Sequence, residues 1–473
     1  MRLADLFPSF ALGANVADVL VSSIEIDSRR CASGVVFFAL PGTQDDGSRY
    51  VEDALARGAD FVVGVEGQVP TSEKVIAVPV DAIWDALAEA SYRMVGDPQR
   101  ELQLIGVTGT NGKTSVVTFV TSLLRHLERD AASIGTLTNV RTTPAAPELA
   151  RTLRAYLSEW APVPVRPVVS LEVSSHALVQ HRIDALRFDV GIFTNLSRDH
   201  LDYHETMENY LEAKALLFRE GRTRHAIIWD QGEWSTKLLA LTDCPVTIVN
   251  ESTIQGLQSR VGQLRFSWRD HEVVARLTGS YNAINLILAM EACVQLGEEP
   301  IRVAAAAGHV EPVPGRCEVI VTPDDRDLPV VVVDYAHTPD GLATTLANLR
   351  EIHDGRIITV FGCGGDRDAG KRPLMGAIAG QLSDVIFVTS DNPRTEDPAE
   401  IARQVHAGVE SAIDSYVVLD RREAIRDALA LAAVGDLVLI AGKGHEKTQQ
   451  IGTTVLDFDD VQVAKDLLKE KMC

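Results

Sequence analysis

A glycine-rich segment that ends in lysine and threonine is the clearest chemical signal in this sequence. The apolar residues 104–107 are followed by TGTNGKT, in which Gly112, Lys113 and Thr114 precede an apolar-rich segment with helical character. Backbone N–H groups and the dipole at the start of a helix bind phosphate oxygens, a lysine reaches the terminal phosphates, and a threonine hydroxyl binds Mg²⁺. These residues therefore predict a phosphate-binding loop.

The loop differs at one position from the general phosphate-loop pattern. That pattern has a glycine five residues before Gly112, and this chain has Val107 there. A tight glycine turn between a strand and a helix is the simpler alternative, but the strand–loop–helix context favours nucleotide binding. GTPases, kinases, motors and ligases all use such loops, so the loop by itself does not define a reaction.

Two polar clusters follow other predicted strands. Glu172 lies near the end of the run PVVSLEV, and His200 lies in LSRDHLDYH, after the next strand. Glutamate oxygens suit Mg²⁺. A lone histidine is more often structural, but clusters after neighbouring strands favour a site, because ligands bind beyond the carboxyl ends of such strands. From its spacing alone, Lys214 in YLEAKALLF is predicted to extend from a helix to solvent.

The elements that must position these residues alternate between apolar runs and helical segments, which indicates an α/β fold with largely parallel, covered sheets. We predict a small N-terminal α/β domain (1–100), a central phosphate-loop ATPase domain (101–312) and a C-terminal Rossmann-like domain (313–473). Helices are predicted over residues 82–94 and 281–297. The predicted strands are GVVFFAL, ADFVVGV, PVVSLEV, DVGIFTN, HAIIW, PVVVVDYA, RIITVFG, DVIFVTS, SYVVLD and DLVLIAG.

Composition narrows the classes of partner. The chain has 473 residues, 46% of them hydrophobic, and a net charge of -21, which argues against a nucleic-acid or anionic-membrane partner. The six cysteines are scattered without metal-site spacing, so a reduced, cytoplasmic protein is expected. The N-terminus lacks a signal-peptide core and no apolar run could span a bilayer, so we also expect no membrane insertion. We expect a monomer.

Further motifs extend the pattern over most of the chain. In order, the sequence contains GVTGTNGKT, RTTP, EVSSHAL, LSRDHLDYH, YLEAKALLF, YNAIN, VPGR, DYAHTPD, GCGGDRDAGKRPLM, DNPR and AGKGHE. This series resembles the Mur ligases, which build the peptide of the bacterial cell wall. The resemblance implies three domains, with the UDP moiety on the first. It also implies ATP-dependent amide formation, in which the D-Glu γ-carboxylate of UDP-MurNAc-L-Ala-D-Glu becomes an acyl phosphate that an amine attacks.

The resemblance implies roles for individual residues. ATP would be bound by Gly109, Thr110, Asn111, Gly112, Lys113, Thr114, Ser115, Asn282, Arg316, Asp334 and His337. The catalytic residues would be Lys113, Glu172, His200 and Lys214, and Mg²⁺ would lie against Thr114, Glu172, His200 and Lys214. Lys214 matches a lysine that is carbamylated in the family. The UDP-linked dipeptide would contact Ser28, near the uracil nucleotide, and Thr142, Thr143, Ser174, Gln180 and Arg182.

The identity of the added amino acid depends on the DNPR turn, formed by Asp391, Asn392, Pro393 and Arg394. In the resemblance, this turn marks members that accept meso-diaminopimelate. Diaminopimelate differs from lysine by a distal carboxylate, which Arg394 can bind with two parallel hydrogen bonds. Lysine would leave that guanidinium unpaired. The resemblance assigns the distal ammonium to Glu446 with the Gly442 carbonyl beside it, and assigns further contacts to Arg367 and Asn392.

Four alternatives remain open at this point. A lysine-adding member of the family catalyses the same reaction class, and the DNPR turn argues against it. Folylpolyglutamate synthase shares the fold and the phosphate loop, but EVSSHALVQHR and DNPR point away from it. A nucleotide-binding scaffold without ligase activity is expected to lack at least one of Lys113, Glu172, His200 and Lys214, all of which are present. A kinase or motor would have no use for the amino-acid cluster.

Overall fold

The structure is a computed structural model that describes residues 1–9, 14–42, 45–139, 141–160, 164–321, 327–410 and 413–472. The chain forms three mainly parallel sheets one after another, with helices on their faces. Cys473 lies outside the described residues. Within the described ranges, no helix is both long and apolar enough to cross a membrane.

The first sheet has four parallel strands in the order β1-β2-β3-β4. All residues of β2 and β3 are buried because helices cover both faces. Phe38 and Val63 pack with α1 and α4, and Phe37 and Val62 pack with α3. The elements are β1 (Ser23–Glu25), β2 (Val35–Ala39), β3 (Phe61–Val65), β4 (Val75–Val78), α1 (Leu3–Leu6), α2 (Ala14–Ala17), α3 (Val51–Ala56) and α4 (Ile83–Met94).

The central sheet has six parallel strands in the order β10-β9-β8-β5-β7-β6. Its strands are β5 (Gln103–Thr108), β6 (Ala131–Ile134), β7 (Val168–Glu172), β8 (Phe188–Phe193), β9 (Thr223–Trp229) and β10 (Val246–Val249). Its helices are α5 (Lys113–His126), α6 (Ala146–Glu159), α7 (Ser175–Val179), α8 (Leu201–His204), α9 (Met207–Ala215), α10 (Glu233–Ala240), α11 (Ser280–Gln295) and α12 (Pro300–Ala307). Because β5 lies between β7 and β8, the loops after these three strands meet at one edge of the sheet.

Two separate cores hold this sheet between its helices. Ile105 and Val107 of β5 pack with α5, α11 and α12, whereas Leu104 packs with α6 and α9. A small antiparallel sheet, β11 (Gln255–Arg260), β12 (Gln263–Trp268) and β13 (His271–Ala275), joins the first of these cores. This sheet was not predicted, because β11 is mostly exposed and its sequence, QGLQSR, carries little apolar signal.

The C-terminal sheet has six strands in the order β14-β15-β19-β16-β17-β18, all parallel except the antiparallel edge strand β14. Helices α13–α15 cover one face and α16 and α17 the other. The strands are β14 (Glu318–Val321), β15 (Val330–Asp334), β16 (Ile357–Phe361), β17 (Val385–Val388), β18 (Asp414–Val417) and β19 (Leu437–Ala441), followed by the hairpin β20 (Thr448–Ile451) and β21 (Thr454–Asp457). The helices are α13 (Pro339–Ile352), α14 (Lys371–Leu382), α15 (Pro398–His406), α16 (Arg421–Leu431) and α17 (Asp460–Met472).

The predicted α/β fold with largely parallel sheets is confirmed. Each predicted strand overlaps an observed strand, and the predicted helices 82–94 and 281–297 correspond to α4 and α11. These elements were predictable because strands covered on both faces have continuous apolar sequences. The domain boundaries at residues 100 and 312 remain predictions.

Candidate active site

The phosphate loop connects the end of β5 to the start of α5. Its glycines Gly109 (φ +150°) and Gly112 (φ +85°) adopt backbone conformations that favour glycine. A Cβ at Gly109 would collide with the Thr194 hydroxyl, and one at Gly112 would lie 2.5 Å from Asn285 Oδ1. The loop therefore requires both glycines for its path between β8 and α11.

The segment after β8 holds this loop in place. The Thr110 N–H donates to the Asn195 carbonyl (2.9 Å), and the Asn111 N–H donates to Asn195 Oδ1 (2.9 Å). Thr114 and Ser115, in the first turn of α5, are each 6% exposed. The positive end of α5 and its first N–H groups thus lie at the loop, where they can bind phosphate oxygens.

Two lysines share one carbonyl of the loop. Lys113 Nζ lies 2.9 Å from Gly109 O and 2.7 Å from Thr110 O, and Lys214 Nζ lies 2.8 Å from Gly109 O. Lys214 is 1% exposed, so the prediction that it extends to solvent is wrong. Burial lowers the pKa of Lys214 well below its ordinary value, and the charge of Lys113 lowers this pKa further. Burial also lowers the pKa of Lys113.

A stacked pair of rings, Tyr210 and His204, lies beside the Lys214 side chain. Lys214 Nζ lies 4.2 Å from the centroid of Tyr210, whose hydroxyl is 3.4 Å from Thr110 Oγ1. His204 stacks on Tyr210 with centroids 4.9 Å apart, and its Nε2 lies 2.8 Å from Ser175 Oγ. Burial lowers the pKa of His204 to about 4. This imidazole is therefore neutral near pH 7 and adds no positive charge to the lysine pair.

The other predicted metal-site residues lie around the same loop. Glu172 is 1% exposed, and its carboxylate accepts hydrogen bonds from the Thr136 N–H (2.8 Å) and hydroxyl (3.3 Å). His200 adopts φ +53°, and its Nε2 lies 3.4 Å from Asp199 Oδ2. The charges of Glu172 and Asp199 raise the pKa of Lys113 and so oppose the effect of burial. Carboxylates and ammonium groups thus face one another across the loop.

Side chains alone do not form a complete metal cage here. Within the described residues, no group of three or more His, Cys, Asp and Glu side chains is placed to hold a metal ion. Mg²⁺ does not need such a cage, because it keeps several waters and takes one or two carboxylates together with substrate phosphates. The buried Glu172 carboxylate and the Thr114 hydroxyl at the loop match that pattern.

The predicted dipeptide-binding residues form a network beside Glu172. Thr143 Oγ1 donates to the Glu172 carbonyl (2.8 Å) and accepts from the Ser174 N–H (3.1 Å). The Arg182 guanidinium donates to the Thr143 carbonyl (2.8 Å) and to Gln180 Oε1 (2.6 Å). The structure therefore brings together Thr142, Thr143, Ser174, Gln180 and Arg182.

The predicted ATP-binding residues of the later motifs are Asn282 in α11 and Arg316, Asp334 and His337 around β15. The Arg316 guanidinium lies 4.3 Å from the centroid of Tyr335, and its Nε is buried without a hydrogen-bond partner among the described residues. The charge of Arg316 lowers the pKa of Lys113. Burial raises the pKa of Asp334, and Arg316 opposes that shift. Arg316 therefore places a positive charge beside Asp334 and Tyr335 at the end of β15.

The predicted amino-acid-binding residues lie at the carboxyl ends of β17 and β19. Asn392 Nδ2 donates to Glu446 Oε2 (2.8 Å). Asp391 is 7% exposed, and a Cβ at Gly442 (φ +115°) would lie 3.3 Å from its Oδ2. The absence of a side chain at Gly442 thus lets the two loops approach each other, and the structure brings Asp391, Asn392, Gly442 and Glu446 together as one cluster.

Arg394 is held beside this cluster through its backbone. It adopts φ +53°, its N–H donates to the Gln450 carbonyl (3.1 Å), and its own carbonyl accepts from the Gly452 N–H (2.6 Å). Its guanidinium donates to the Gly365 carbonyl (2.7 Å). Arg367 is exposed in the same loop as Gly365. The hairpin β20–β21 therefore fixes the position of Arg394.

Two buried cations behind this cluster were missed in the sequence. Lys443 is 0% exposed, and its Nζ lies 3.1 Å from Glu446 Oε2 and 3.2 Å from Asn392 Oδ1. Arg421 is 1% exposed and pairs with Asp460 at 2.7 Å. Lys443 lies within the motif AGKGHE, which was the available signal. Nothing local marks Arg421, which lies in an ordinary helical sequence.

Ser28 lies in the N-terminal part of the fold. It is 6% exposed and starts a short 3₁₀ turn. Within the described residues, no hydrogen bond or ion pair joins Ser28 to the phosphate loop. The N-terminal and central parts meet elsewhere, where Arg151 pairs with Glu25 (3.2 Å) and Trp84 stacks on His181 with centroids 5.5 Å apart.

Comparison with protein families gives matches along most of the chain. The Mur ligase family catalytic domain matches residues 20–94, the Mur ligase middle domain matches residues 107–293, and the Mur ligase glutamate ligase domain matches residues 315–444. The predicted three-domain architecture agrees with this succession.

Individual relatives agree with the family match. A UDP-N-acetylmuramoyl-L-alanyl-D-glutamate–2,6-diaminopimelate ligase from Geobacillus kaustophilus is 40% identical, with 95% of each chain covered. A solved structure of a ligase of that name has a TM-score of 0.71 at 31% identity and covers 100% of this chain and 99% of its own. The MurF ligase from Thermotoga maritima in complex with ADP has a TM-score of 0.65 at 16% identity, with 96% of this chain and 99% of its own covered, and so shares the fold. In both sequence and fold, this chain belongs to the Mur ligase family.

Proposed function

We propose that this Mur ligase adds meso-diaminopimelate to the D-Glu γ-carboxylate of UDP-MurNAc-L-Ala-D-Glu, with ATP as the energy source. The observation that carries the proposal is the position of α11, whose Asn285 lies against Gly112 of the phosphate loop and whose Ser280 hydroxyl donates to Asn348 Oδ1 of α13 (2.6 Å). This contact between the central and C-terminal parts supports a single site that includes the nucleotide loop and the amino-acid cluster. The names of similar ligases support the same substrate.

The first chemical step activates the carboxylate. A carboxylate is a poor electrophile because oxide would have to leave. A γ-carboxylate oxygen therefore attacks the γ-phosphorus of ATP, the bond to ADP breaks, and an acyl phosphate forms. The approach of two anions is offset by the Lys113 ammonium and by the positive end of α5. The network around Arg182 and Thr143 holds the dipeptide so that the reacting atoms are aligned.

The second step forms the amide. The free amine of diaminopimelate attacks the acyl carbon, the C–N bond forms, and the C–O bond to phosphate breaks. Inorganic phosphate leaves, and the proton of the amine passes to solvent. The cluster around Glu446 holds the distal end of diaminopimelate, which places its reacting amine toward the acyl phosphate.

Mg²⁺ fits the residues at the loop and would be held by Thr114, Glu172, His200 and Lys214. When bound, it supplies positive charge at the phosphate oxygens. Lys214 can take part only as an anion. Its buried side chain has a lowered pKa, so its amine is neutral more often than that of an exposed lysine and can attack CO₂. A C–N bond then forms, a proton is lost, and the product is a carbamate anion.

The three parts of the chain divide the substrates among them. We assign residues 1–100, with Ser28, to the UDP moiety, residues 101–312 to ATP and the dipeptide, and residues 313–473 to the amino acid. The nucleotide-linked substrates place the enzyme in the cytoplasm, at the soluble stage of peptidoglycan precursor synthesis. We assign it as a monomer, because every predicted substrate contact is supplied by one chain.

Product identification by mass tests this function. The protein is incubated with ATP, Mg²⁺ and UDP-MurNAc-L-Ala-D-Glu, together with either meso-diaminopimelate or L-lysine. We expect the diaminopimelate adduct, ADP and phosphate, and little lysine adduct. A predominant lysine adduct would identify the lysine-adding member instead. No adduct with either amino acid, from a protein that still binds ATP, would support a nucleotide-binding scaffold. Lys113→Ala serves as the inactive control.

A further inference from the structure

A buried ammonium lies behind the amino-acid cluster, and none of the steps above uses it. Lys443 is 0% exposed and follows β19. Its Nζ lies 3.1 Å from Glu446 Oε2, 3.2 Å from Asn392 Oδ1 and 3.6 Å from Asp391 Oδ1. Burying a lysine is costly unless its charge is paired and its donors are bonded. A single buried lysine with two hydrogen-bond acceptors and one further ion-pair partner, from two loops, is therefore a specific arrangement and not a chance surface contact.

Lys443 fixes the orientation of the Asn392 amide. Asn392 Oδ1 accepts from Lys443 Nζ and from the Gln450 N–H (2.9 Å), so its Nδ2 must face the other way, where it donates to Glu446 Oε2 (2.8 Å). Without the ammonium, the amide would keep only one donor on its oxygen. This orientation of the amide allows Asn392 to bond Glu446 on one side and the backbone of β20 on the other, and β20 in turn holds Arg394.

Lys443 also determines which Glu446 oxygen is free. Oε2 accepts from both Lys443 Nζ and Asn392 Nδ2. In the described part of the chain no hydrogen bond joins Oε1 to a donor, so this oxygen can receive an ammonium from the substrate. Asp391 Oδ1, nearby, is buried without a hydrogen-bond partner among the described residues. Two carboxylates face one buried ammonium, and Glu446 Oε1 is the oxygen left to receive a positive charge from the substrate.

We propose that Lys443 is a positioning residue for amino-acid specificity, which holds Glu446 and Asn392 so that Glu446 Oε1 binds the distal ammonium of the substrate beside the Arg394 guanidinium. This inference rests on the proposed diaminopimelate-adding function. Lys443 acts through Glu446 and Asn392 and does not touch the substrate. The distal end of diaminopimelate carries both an ammonium and a carboxylate, and we infer that Glu446 binds the first and Arg394 the second. Both side chains are held in position before the substrate arrives, which makes the recognition rigid.

Steady-state kinetics of Lys443→Met test the inference, since methionine fills a similar volume without charge. We expect the KM for diaminopimelate to rise at least tenfold, the KM for ATP to stay within twofold, and the preference for diaminopimelate over lysine to fall. The control is Arg129→Met, which removes a partly buried cation paired with Glu298 at 2.7 Å, far along the chain in the central domain. We expect it to leave both KM values unchanged.

A second variant covers the case in which Lys443→Met does not fold. Lys443→Gln keeps a hydrogen-bond donor and removes the charge, and we expect the same separation of the two KM values. An unchanged diaminopimelate KM in a folded variant, or equal rises in the KM values for diaminopimelate and ATP, would overturn the inference. Failure of the wild-type protein to form the diaminopimelate adduct would instead overturn the proposed function, so the two failures are distinguishable.

Discussion

At the scale of single residues, the site depends on charges that already have bonding partners before any substrate binds. Lys113, Lys214 and Lys443 are bonded to carbonyl or side-chain oxygens, and Glu172 to the Thr136 backbone and hydroxyl. Such groups lose little rotational freedom when a ligand arrives, because the protein has already ordered them. Arg367, at the edge of the amino-acid cluster, and His200, after β8, are exposed.

Arg394 is the residue with the sharpest expected effect on substrate choice. We expect Arg394→Ala to raise the KM for diaminopimelate roughly 10- to 100-fold, as for the loss of charged hydrogen bonds, and to leave the KM for ATP nearly unchanged. Kinetics with each substrate varied in turn measure both values. Arg403→Ala, which removes an exposed arginine paired with Glu400, is the matched control. An unchanged diaminopimelate KM would refute the role of Arg394.

The lowered pKa of His204 predicts how stability depends on pH. Its pKa is about 4 in the folded protein, below its ordinary value of 6.5, because of burial. Between these values the unfolded chain binds a proton that the folded chain does not, so the free energy of unfolding falls as pH falls from 6.5 toward 4.

We expect His204→Gln to weaken this dependence by roughly 2 kcal/mol between pH 7.5 and 5. Urea unfolding at the two pH values measures the difference. His126→Gln, at an exposed histidine near the end of α5, is the control. An equal slope for His204→Gln and the wild-type protein would show that another group causes the acid sensitivity, since burial also lowers the pKa values of His176 and His200.

At the scale of elements, the sequence predicted a strand or loop best where the residues of that element alone carry the signal. The strands β2, β3, β5 and β19 were predictable because each is buried on both faces and reads as an apolar run. The phosphate loop was predictable because glycines followed by a lysine at the start of a helix are typical of nucleotide binding. The sheet β11–β13 has one exposed edge, and its strands lack such a run.

The errors at the site arise from packing between distant elements. Lys214 lies in a helix whose own spacing indicates exposure, yet that helix packs in the core through Tyr210, Leu211 and Ala215, and this places the amine on Gly109. Lys443 is preceded and followed by glycine, which reads as a turn, and its burial depends on the loop after β17. No local pattern contains either contact, because the partners are far away in the chain.

The hairpin β20–β21 gives a prediction at this scale. Gly452 adopts φ +59° and its N–H donates to the Arg394 carbonyl (2.6 Å). Alanine there would cost about 1 kcal/mol in backbone strain and disturb the strand that holds Arg394. We expect Gly452→Ala to raise the KM for diaminopimelate about threefold to tenfold, with the KM for ATP unchanged.

A second glycine provides a matched control for this variant. Gly262 adopts φ +78° in the turn between β11 and β12, and a Cβ there would meet no atom within 4 Å, as at Gly452. Gly262→Ala should therefore carry similar strain without changing either KM. If both variants change the diaminopimelate KM equally, the effect comes from general destabilisation and not from the position of Arg394.

At the scale of the whole molecule, the proposed reaction needs substrate-binding residues from all three parts of the chain. The proposed UDP-binding residue Ser28 belongs to the first part, the phosphate loop to the second and Arg394 to the third. Among the described residues, polar contacts such as Arg151 with Glu25 (3.2 Å) and the Ser280 hydroxyl with Asn348 Oδ1 (2.6 Å) join the parts. Interfaces between domains of one chain commonly permit relative motion.

We therefore expect substrates to draw the three parts together. Small-angle X-ray scattering should show a smaller radius of gyration with a non-hydrolysable ATP analogue, Mg²⁺, UDP-MurNAc-L-Ala-D-Glu and diaminopimelate than with no ligand, because the reacting groups on separate domains must meet. For Arg394→Ala, the radius of gyration should fall when the nucleotide is added and should not change further with diaminopimelate. This variant therefore distinguishes closure caused by the amino acid from closure caused by ATP. A radius of gyration that stays constant under all these additions would mean that the site is complete without domain motion, and that contacts such as the hydrogen bond of Ser280 with Asn348 (2.6 Å) already hold the central and C-terminal parts at their reactive distance.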